Sequence, residues 1–518
     1  MDKQHGIRLI KNSVLTLFNT FFMLGTTWVI SIWVARQLGP ESYGVFTLVL
    51  WFTGTISWAM GMGLIHAVTK FIAEYQGKGE GAQCTPIVIF VLKVELALTG
   101  VSTVVLLFFR SQIADYFFSP NESFFFLLAF LGLVPGVITA IFSATIEGLQ
   151  KFEYFTLSNF VITPLSFVSK VIVLWLGKGI NGLLVVMLVF SFANALFYAI
   201  VLHREGIVRA ANIRSVPGEL RKRLLKYNAS VMAILACDKI VWDKSENFFL
   251  GRFCPASEIG FYNLGFNVAQ RFTSILPQTF WRVLFPAMSG YFGSGSQDKM
   301  KRLFFISTRY LAFFAFPSGI AGMILSYQII HYLYGHDFIG AQRVLQIICV
   351  SSIFSSLSNP ASAVLYGFEK QAFIYKYGLV LAVINIALDV FLIRRYGAVG
   401  AAICYGITTV LGSIGGLIYT CRLMKLIYPF YSVFKIIFAT IIMGLTMELV
   451  LLQNQEVPGF IISVISGAGV YLICSLVLGT FEKEDYIILD SVKKILPGRT
   501  KGVVDAATSF ISQFKNGR

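Results

Sequence analysis

The chain has 518 residues, of which 56% are hydrophobic and only 13% are charged. A soluble domain carries about 25% charged residues. The low charge, a mean hydropathy of +0.74 and 49 phenylalanines exclude a water-soluble enzyme, a disordered protein and a nucleic-acid-binding domain. The composition therefore predicts a polytopic membrane protein, in which the net charge of +16 reports first on topology.

Fourteen apolar stretches reach or approach the roughly 20 residues that a transmembrane helix needs. They are continuous, whereas the strands of a membrane barrel would be shorter and would alternate, so we expect an all-α fold. The first stretch is too long for a cleavable signal peptide and leads directly into Arg36 and a second span. The predicted spans are approximately 13–35, 43–69, 84–109, 123–147, 154–177, 181–203, 227–251, 258–290, 305–334, 341–366, 371–393, 398–421, 431–452 and 458–480.

Lysine and arginine in short loops stay preferentially on the cytoplasmic side of a membrane. With a cytoplasmic N-terminus, 26 of the 42 Lys and Arg residues fall in inner segments and seven in outer loops. This asymmetry predicts that both termini are cytoplasmic. The seven cysteines lie singly in or near apolar stretches, which is typical of small buried side chains. We expect no disulfide framework, no metal site and no cofactor.

Similarity between the two halves of the sequence predicts an internal duplication. ARQLGPESYGVF (35–46) aligns with GRFCPASEIGFY (251–262) at an offset of 216 residues. Because both halves begin inside and contain six spans, we expect parallel repeats about an axis along the membrane normal. Matches at offsets of 216 to 219 pair Asn12 with Asn228, Arg36 with Arg252, Gly44 with Gly260, Gly148 with Gly367, Lys151 with Lys370, Gly179 with Gly397 and Gly182 with Gly400.

The predicted architecture has two six-helix lobes, a linker, two further helices and a tail. The linker is basic and cytoplasmic. The tail interleaves apolar residues with lysines, as in a helix that lies on an anionic membrane surface or in a solvated terminal helix. The segments are the N-terminal lobe 1–205, the linker 206–223, the C-terminal lobe 224–425, the two additional helices 426–480 and the amphipathic tail 481–518.

Spans seven and eight retain charged side chains inside the predicted membrane. A charge there costs a few kcal/mol, roughly, so it normally faces protein or a water-filled cavity. Two arginines on one stripe favour a cavity that binds phosphate, which guanidinium groups suit. Span seven contains Asp238 and, on one helical face, Lys239, Asp243 and Glu246; span eight contains a stripe of Asn263, Asn267, Arg271, Gln278 and Arg282. In span one, Asn12 and Asn19 are seven residues apart.

These features resemble the polysaccharide-transporter family of the multidrug/oligosaccharidyl-lipid/polysaccharide exporter superfamily. The motifs that carry the resemblance are Asn12, RQLGPESYGVF after the first span, the EGLQK loop and the weaker copies in the second half, and the pattern covers about 1–480. The resemblance implies a flippase of the cytoplasmic membrane that moves a polyprenyl-diphosphate-linked oligosaccharide to the outer leaflet by alternating access. It also implies two lobes around a cationic cavity, with the last two helices near the lipid tail.

Within that hypothesis each candidate residue has a chemical role. Arg271 and Arg282 would bind the diphosphate, with Lys239 as a third cation. Sugar hydroxyls would meet Asn12, Asn19, Asn267 and Gln278. The acidic residues Asp238, Asp243 and Glu246 are candidates for binding a coupling proton or sodium ion, or for holding Lys239. We expect membrane lipids and the lipid-linked oligosaccharide as partners, together with a glycan polymerase or glycosyltransferase, and no nucleic acid.

Three other functions are consistent with a membrane protein of this size. A cation-coupled multidrug exporter of the same superfamily would need a net acidic cavity, whereas span eight offers two arginines and no carboxylate after Glu258. A membrane-embedded sugar polymerase or glycosyltransferase would need a large catalytic loop with paired carboxylates, and the outer loops are short. A scaffold would explain the duplication but not the buried charges. P-loop, HExxH and GxSxG motifs are absent, so we predict a transporter without catalytic residues.

Overall fold

The computed structural model of the chain describes residues 3–61, 64–118, 122–207, 216–228, 245–368, 370 and 372–480, with side chains from Phe22 onward. Over these ranges the secondary structure is helical and contains no strand. The predicted all-α fold is therefore confirmed. The predicted tail 481–518 and linker residues 208–215 lie outside the described residues.

The chain divides into two compact units. The first comprises Met1–Asn263, Leu333–Gly340 and Ile386–Ala401. Its helices within the described ranges are α1 (Lys3–Met60), α2 (Leu64–Gly77), α3 (Cys84–Phe108), α4 (Arg110–Phe117), α5 (Ser123–Leu131), α6 (Leu133–Gly148), α7 (Glu153–Trp175), α8 (Gly179–Arg204), α9 (218–228) and α10 (Glu246–Phe253).

The second unit comprises Leu264–Tyr332, Ala341–Asn385 and Ala402–Arg518. Three helices, α11 (Ala256–Thr273), α16 (Ala372–Leu388) and α17 (Arg394–Met424), cross its boundaries, and a π-helical segment, Asp389–Ile393, joins the last two. Its other helices are α12 (Ile275–Gly293), α13 (Gln297–Ile324), α14 (Ser326–Tyr334), α15 (Ala341–Gly367), α18 (Phe430–Gln453) and α19 (Val457–Val477).

Ten helical stretches among the described residues are long and apolar enough to cross a membrane. One of them, Ala372–Met424, has 53 residues and includes two predicted spans, 371–393 and 398–421. The chain is thus a multi-pass membrane protein. Part of predicted span seven lies outside the described residues, so the total of fourteen spans stays a prediction.

Glycines let helices approach closely at positions that the predicted duplication relates. A Cβ on Gly148 of α6 would lie 2.7 Å from Cβ of Ile72 on α2. A Cβ on Gly367 of α15 would lie 2.9 Å from Cβ of Met288 on α12. Ile72 and Met288 are themselves 216 residues apart, so the same helix contact occurs in both halves. Small residues at such crossings maximise van der Waals packing between membrane helices.

A second glycine pair makes a reciprocal contact inside the first unit. A Cβ on Gly44 would overlap the backbone oxygen of Ala256, and a Cβ on Gly260 would overlap that of Pro40. Both residues of each half are shifted by 216 positions in the other half. The contact is therefore self-complementary, as at a two-fold interface. Here the predicted alignment of the two halves corresponds to a physical pairing of backbones.

Candidate substrate cavity

A polar cavity of about 450 Å³ lies within the second unit, beside the break between α11 and α12. The opposite lining comes from α15 and from Tyr405 of α17. We call it the arginine cavity. Its lining residues are Gln270, Thr273, Ser274, Pro277, Gln278, Trp281, Arg282, Ser352, Ser355, Ser356, Asn359 and Tyr405.

The helix break has a local cause in the sequence. Predicted span eight (258–290) is too long for a single crossing, and the structure divides it at Ser274. Proline has no backbone N–H, so Pro277 leaves the carbonyl of Thr273 without its usual helical donor. Both residues line the cavity. Backbone irregularity of this kind is tolerated at membrane depth where it borders a polar cavity.

The charge of the lining is one-sided. Among its residues Arg282 is the one cation, and no carboxylate is present. Hydroxyl and amide groups supply the remaining polar atoms, and the side-chain oxygen of Asn359 is buried without a hydrogen-bond partner. Gln270 donates a hydrogen bond to the Tyr405 hydroxyl over 3.1 Å, which holds two elements of the lining together. Such a lining suits an anion that also carries hydroxyl groups.

A polar face of α15 was not predicted from the sequence. Ser352, Ser355, Ser356 and Asn359 stand at i, i+3, i+4 and i+7, so they share one side of the helix and all line the cavity. The signal was the segment SSIFSSLSN (351–359) within an apolar span. Single hydroxyls barely lower the hydropathy of a span, and only their helical spacing reveals a face.

Two of the predicted substrate-binding residues line this cavity, and two described ones do not. Gln278 and Arg282 are exposed to it. Asn267 and Arg271 lie one and more turns earlier on α11, are half-buried, and have interactions of their own. The predicted stripe is therefore divided by the helix break, and the roles assigned to all four residues stay predictions.

The first member of the stripe is a packing residue. Asn263 exchanges hydrogen bonds with the buried amide of Asn247 over 2.7 and 3.4 Å. Beside this pair, Tyr262 donates a hydrogen bond to Glu246, 3.0 Å away. Glu246, a candidate for ion coupling, is thus only 2% exposed and hydrogen-bonded within the first unit. Its coupling role stays a prediction.

The other candidates fall where no side chain is described. Asp238, Lys239 and Asp243 lie outside the described residues. Asn12 and Asn19 belong to the helical backbone of α1, in the part where side chains are not described. Their predicted contacts with substrate or ions stay predictions.

Comparison with known proteins identifies the family. A family model described as "Polysaccharide biosynthesis protein" matches residues 33–343, which is more than half of the chain. The chain belongs to this family. The match extends from α1 to the beginning of α15, so it includes Arg282 and Gln278 but ends before the serine face of α15.

Individual relatives agree with this membership. The chain is 25% identical over 233 residues to an uncharacterized membrane protein in the cps region of Klebsiella pneumoniae, covering 43% of this chain and about half (47%) of that protein. It is 22% identical over 420 residues to a putative O-antigen transporter of Shigella flexneri, covering 78% of this chain and 96% of that one. The predicted family is confirmed, and its members in this comparison are transporters rather than enzymes.

The fold is similar to that of the lipid II flippase MurJ in an inward closed conformation. The TM-score is 0.69, and the match covers 90% of this chain and 98% of that chain. Sequence identity is 17%, so this similarity establishes the transporter fold and nothing finer.

Proposed function

We propose that the protein is a flippase that translocates a polyprenyl-diphosphate-linked oligosaccharide across the cytoplasmic membrane by alternating access, for the synthesis of cell-surface polysaccharide or glycan. The observation that carries the proposal is the arginine cavity, whose described lining combines one guanidinium with hydroxyls and amides and lacks a carboxylate. A lipid-linked glycan presents the matching groups: a diphosphate, sugar hydroxyls and a tail that stays in the bilayer.

The relatives support the same class of substrate. A putative O-antigen transporter aligns with most of the chain, and a lipid II flippase shares its fold. The arginine-rich cytoplasmic segments support a cytoplasmic membrane protein with both termini inside. Coupling to a proton or sodium ion, and association with a glycan polymerase or glycosyltransferase, belong to the proposal.

Each cavity residue then has a defined task. Arg282 binds the diphosphate through its planar fork of N–H donors, and Arg271 contributes when the substrate extends along α11. Gln278 and the serines of α15 hydrogen-bond to sugar hydroxyls. Trp281 stacks on Phe285 with ring centroids 5.7 Å apart, which supports its ring at the cavity wall. A cavity with these groups repels organic cations, so a multidrug exporter is disfavoured.

Depletion of the protein in its native cell tests the proposal. We expect a lipid-linked oligosaccharide to accumulate on the cytoplasmic leaflet, detected by extraction and mass spectrometry with a membrane-impermeant glycan-modifying enzyme to assign the leaflet. Wild-type protein should clear it. The proposal is wrong if depletion leaves the lipid-linked oligosaccharides and their distribution unchanged.

Complementation with variants then tests the cavity. Arg282→Ala should restore transport about 10- to 100-fold less well than wild type, because a hydrogen bond to a charged group contributes about 1.5–3 kcal/mol. Arg302→Ala is the matched control, since Arg302 is an exposed arginine of α13 outside the cavity lining. If Arg271→Ala and Arg282→Ala both complement fully, the cavity assignment is wrong.

A further inference from the structure

A second polar cavity lies in the same unit, near the other end of α15. It measures about 500 Å³ and is bounded by the junction of α13 and α14, the beginning of α15 and the end of α18. In the proposed topology these helix ends are at the outer face of the membrane. We call it the glutamine cavity. Its lining residues are Met323, Ile324, Tyr327, Gln328, Gln342, Gln346, Glu448, Leu451, Leu452 and Gln455.

The polar groups of this lining have the opposite charge from those of the arginine cavity. Four glutamine amides and a tyrosine accompany one carboxylate, Glu448, and the lining contains no lysine, arginine or histidine. A phosphate or diphosphate would meet an uncompensated negative charge here. The occupant is therefore neutral or positively charged, and it has to satisfy several amides at once.

One buried side chain indicates that the cavity is built to bind rather than merely to pack. Gln328 is 6% exposed, lines the cavity, and its side-chain oxygen has no hydrogen-bond partner. Buried polar atoms in folded proteins are nearly always paired, so an unpaired one at a cavity wall points to a partner that arrives from the cavity. The oxygen is an acceptor, and a hydroxyl group would satisfy it.

Neighbouring contacts hold the wall in shape. The Tyr332 hydroxyl donates a hydrogen bond to the backbone oxygen of Gln455 over 2.5 Å, which ties α14 to the turn after α18. The ring of Tyr327 stacks on His331, with centroids 5.5 Å apart and planes 8° from parallel. The Gln346 amide is 3.5 Å from the backbone oxygen of Met323. The cavity is thus pre-formed, as ligand sites usually are.

We propose that the glutamine cavity binds a neutral pyranose. Ring hydroxyls both donate and accept hydrogen bonds, so they match amides and a carboxylate together. The apolar face of a pyranose would pack on Tyr327 and on the apolar part of the wall, which Leu451 contributes. The volume lies within the range of about 300–1,000 Å³ typical of small-ligand sites. The proposed function is needed only to name the natural source of the sugar, the glycan of the lipid-linked substrate after it reaches the outer face.

Binding of simple sugars to the purified full-length protein tests this inference. The probes are methyl glucoside, methyl galactoside and methyl N-acetylglucosaminide, measured by saturation-transfer NMR in detergent micelles. We expect at least one glycoside to bind, with contact along one face of the ring. Gln328→Leu should weaken that binding about tenfold, because one buried acceptor is lost. Gln342→Ala, at a half-buried side chain, should weaken it about threefold and serves if Gln328→Leu does not fold.

Charge controls separate a sugar site from a cation site. Glu448→Gln keeps hydrogen-bonding groups and should weaken glycoside binding by no more than about threefold. Glu456→Gln, an exposed carboxylate outside the lining on the same loop, should leave it unchanged. If tetramethylammonium binds instead, and Glu448→Gln abolishes that binding, the site is for cations and the proposal is wrong. Absence of glycoside binding to wild type, or full binding to both glutamine variants, also overturns it.

A second arm identifies the source of the sugar independently of transport. Nanodiscs that contain a polyprenyl-diphosphate-linked oligosaccharide should protect the glutamine cavity from glycoside binding if the substrate's glycan reaches it. Arg282→Ala should bind free glycosides normally, because Arg282 lines the other cavity. A protein that binds glycosides but fails every flipping assay would refute the proposed function and leave this inference standing. A flippase that binds no glycoside would do the reverse.

Discussion

The two halves of the chain share their packing but not their chemistry. Gly148 on α2 and Gly367 on α12 make the same close helix contact, and their partners Ile72 and Met288 are related by the same repeat. The polar positions of the arginine cavity have no such counterparts. At the offset of 219 residues that relates Gly148 to Gly367, Ser352, Ser356 and Asn359 correspond to Leu133, Val137 and Ala140.

The difference indicates what each part of the duplicated sequence does. Leu133 and Val137 are 2% exposed and fill the core of the first unit, whereas the matched serines of α15 line a cavity. Duplication preserved the residues that set helix spacing, because a glycine crossing tolerates no added atom. The substrate-facing positions diverged, so the polar site lies in the second half. Arg282 is a partial exception, since at an offset of 216 its counterpart is the exposed His66.

Disrupting a shared packing contact should have the largest effect. Gly44→Ala would drive a methyl group into the backbone oxygen of Ala256, and we expect a loss of about 3 kcal/mol or more, the upper part of the range for overpacking. The measurement is the yield and unfolding midpoint of purified protein. Gly54→Ala is the matched control, because nothing lies within 4 Å of a Cβ there. Equal stability of the two variants would contradict the reciprocal contact.

Converting the cavity lining to the first-half residues should reduce transport without unfolding the protein. The double variant Ser352→Val and Ser356→Val replaces two hydroxyls with apolar groups of similar size. We expect transport about tenfold lower in a flipping assay, since each lost hydrogen bond contributes about 1 kcal/mol. Ser358→Val is the control, because Ser358 bonds to Ser413 over 3.3 Å and does not line the cavity. Unchanged transport in the double variant would remove α15 from the site.

The matched basic positions should differ in their contribution. We expect His66→Ala to lower transport no more than about threefold, compared with about 10- to 100-fold for Arg282→Ala, because imidazole lacks the bidentate geometry of guanidinium. Both are scored in the same flipping assay. Equal losses would mean that the halves share substrate chemistry after all, and that the comparison above is wrong at this pair.

An ion pair specific to the first half should give the smallest effect. Glu74 of α2 accepts hydrogen bonds of 2.9 Å from both terminal nitrogens of Arg223 on α9 and one of 2.7 Å from Lys78. Its counterpart at an offset of 216 is Gly290. Hydrogen bonds from Arg223 and Lys78 lower the pKa of Glu74 from 4.5 to about 2. The contact is therefore fully stabilising above the ordinary pKa and is lost as the pH falls through about 2.

Spin labels on α2 and α9 would report this contact as a distance. We expect the distance to rise as the pH falls below about 4.5, with a contribution of about 1 kcal/mol or less because the Arg223 side chain is 50% exposed. Glu74→Gln should abolish the pH dependence. A distance that follows pH equally in Glu74→Gln would assign the change to another group.

The sequence predicted the helices well where an apolar run had clear ends. Predicted spans 84–109 and 154–177 correspond to Cys84–Phe108 and Glu153–Trp175, because the hydrophobic length of a bilayer helix is physically fixed. Span eight was less well predicted, since hydropathy does not detect a break that one serine and the missing donor of Pro277 create together.

The candidate site was only half predictable. Arginine and glutamine inside a span are conspicuous, and Gln278 and Arg282 do line a cavity. The stripe could not reveal that Asn263 pairs with Asn247, because both faces of a helix can hold amides and only packing decides between them. The serine face and Tyr405 come from helices far along the chain, and their convergence depends on tertiary structure.

Flipping in reconstituted proteoliposomes tests the central claim most directly. Purified protein is incorporated into vesicles with a fluorescent polyprenyl-diphosphate-linked oligosaccharide, and the fraction that becomes accessible to an impermeant quencher is followed with time. The account predicts flipping by wild type, a rate about 10- to 100-fold lower for Arg282→Ala, and a wild-type rate for Arg302→Ala. Vesicles in which Arg282→Ala flips the lipid as fast as wild type would contradict it.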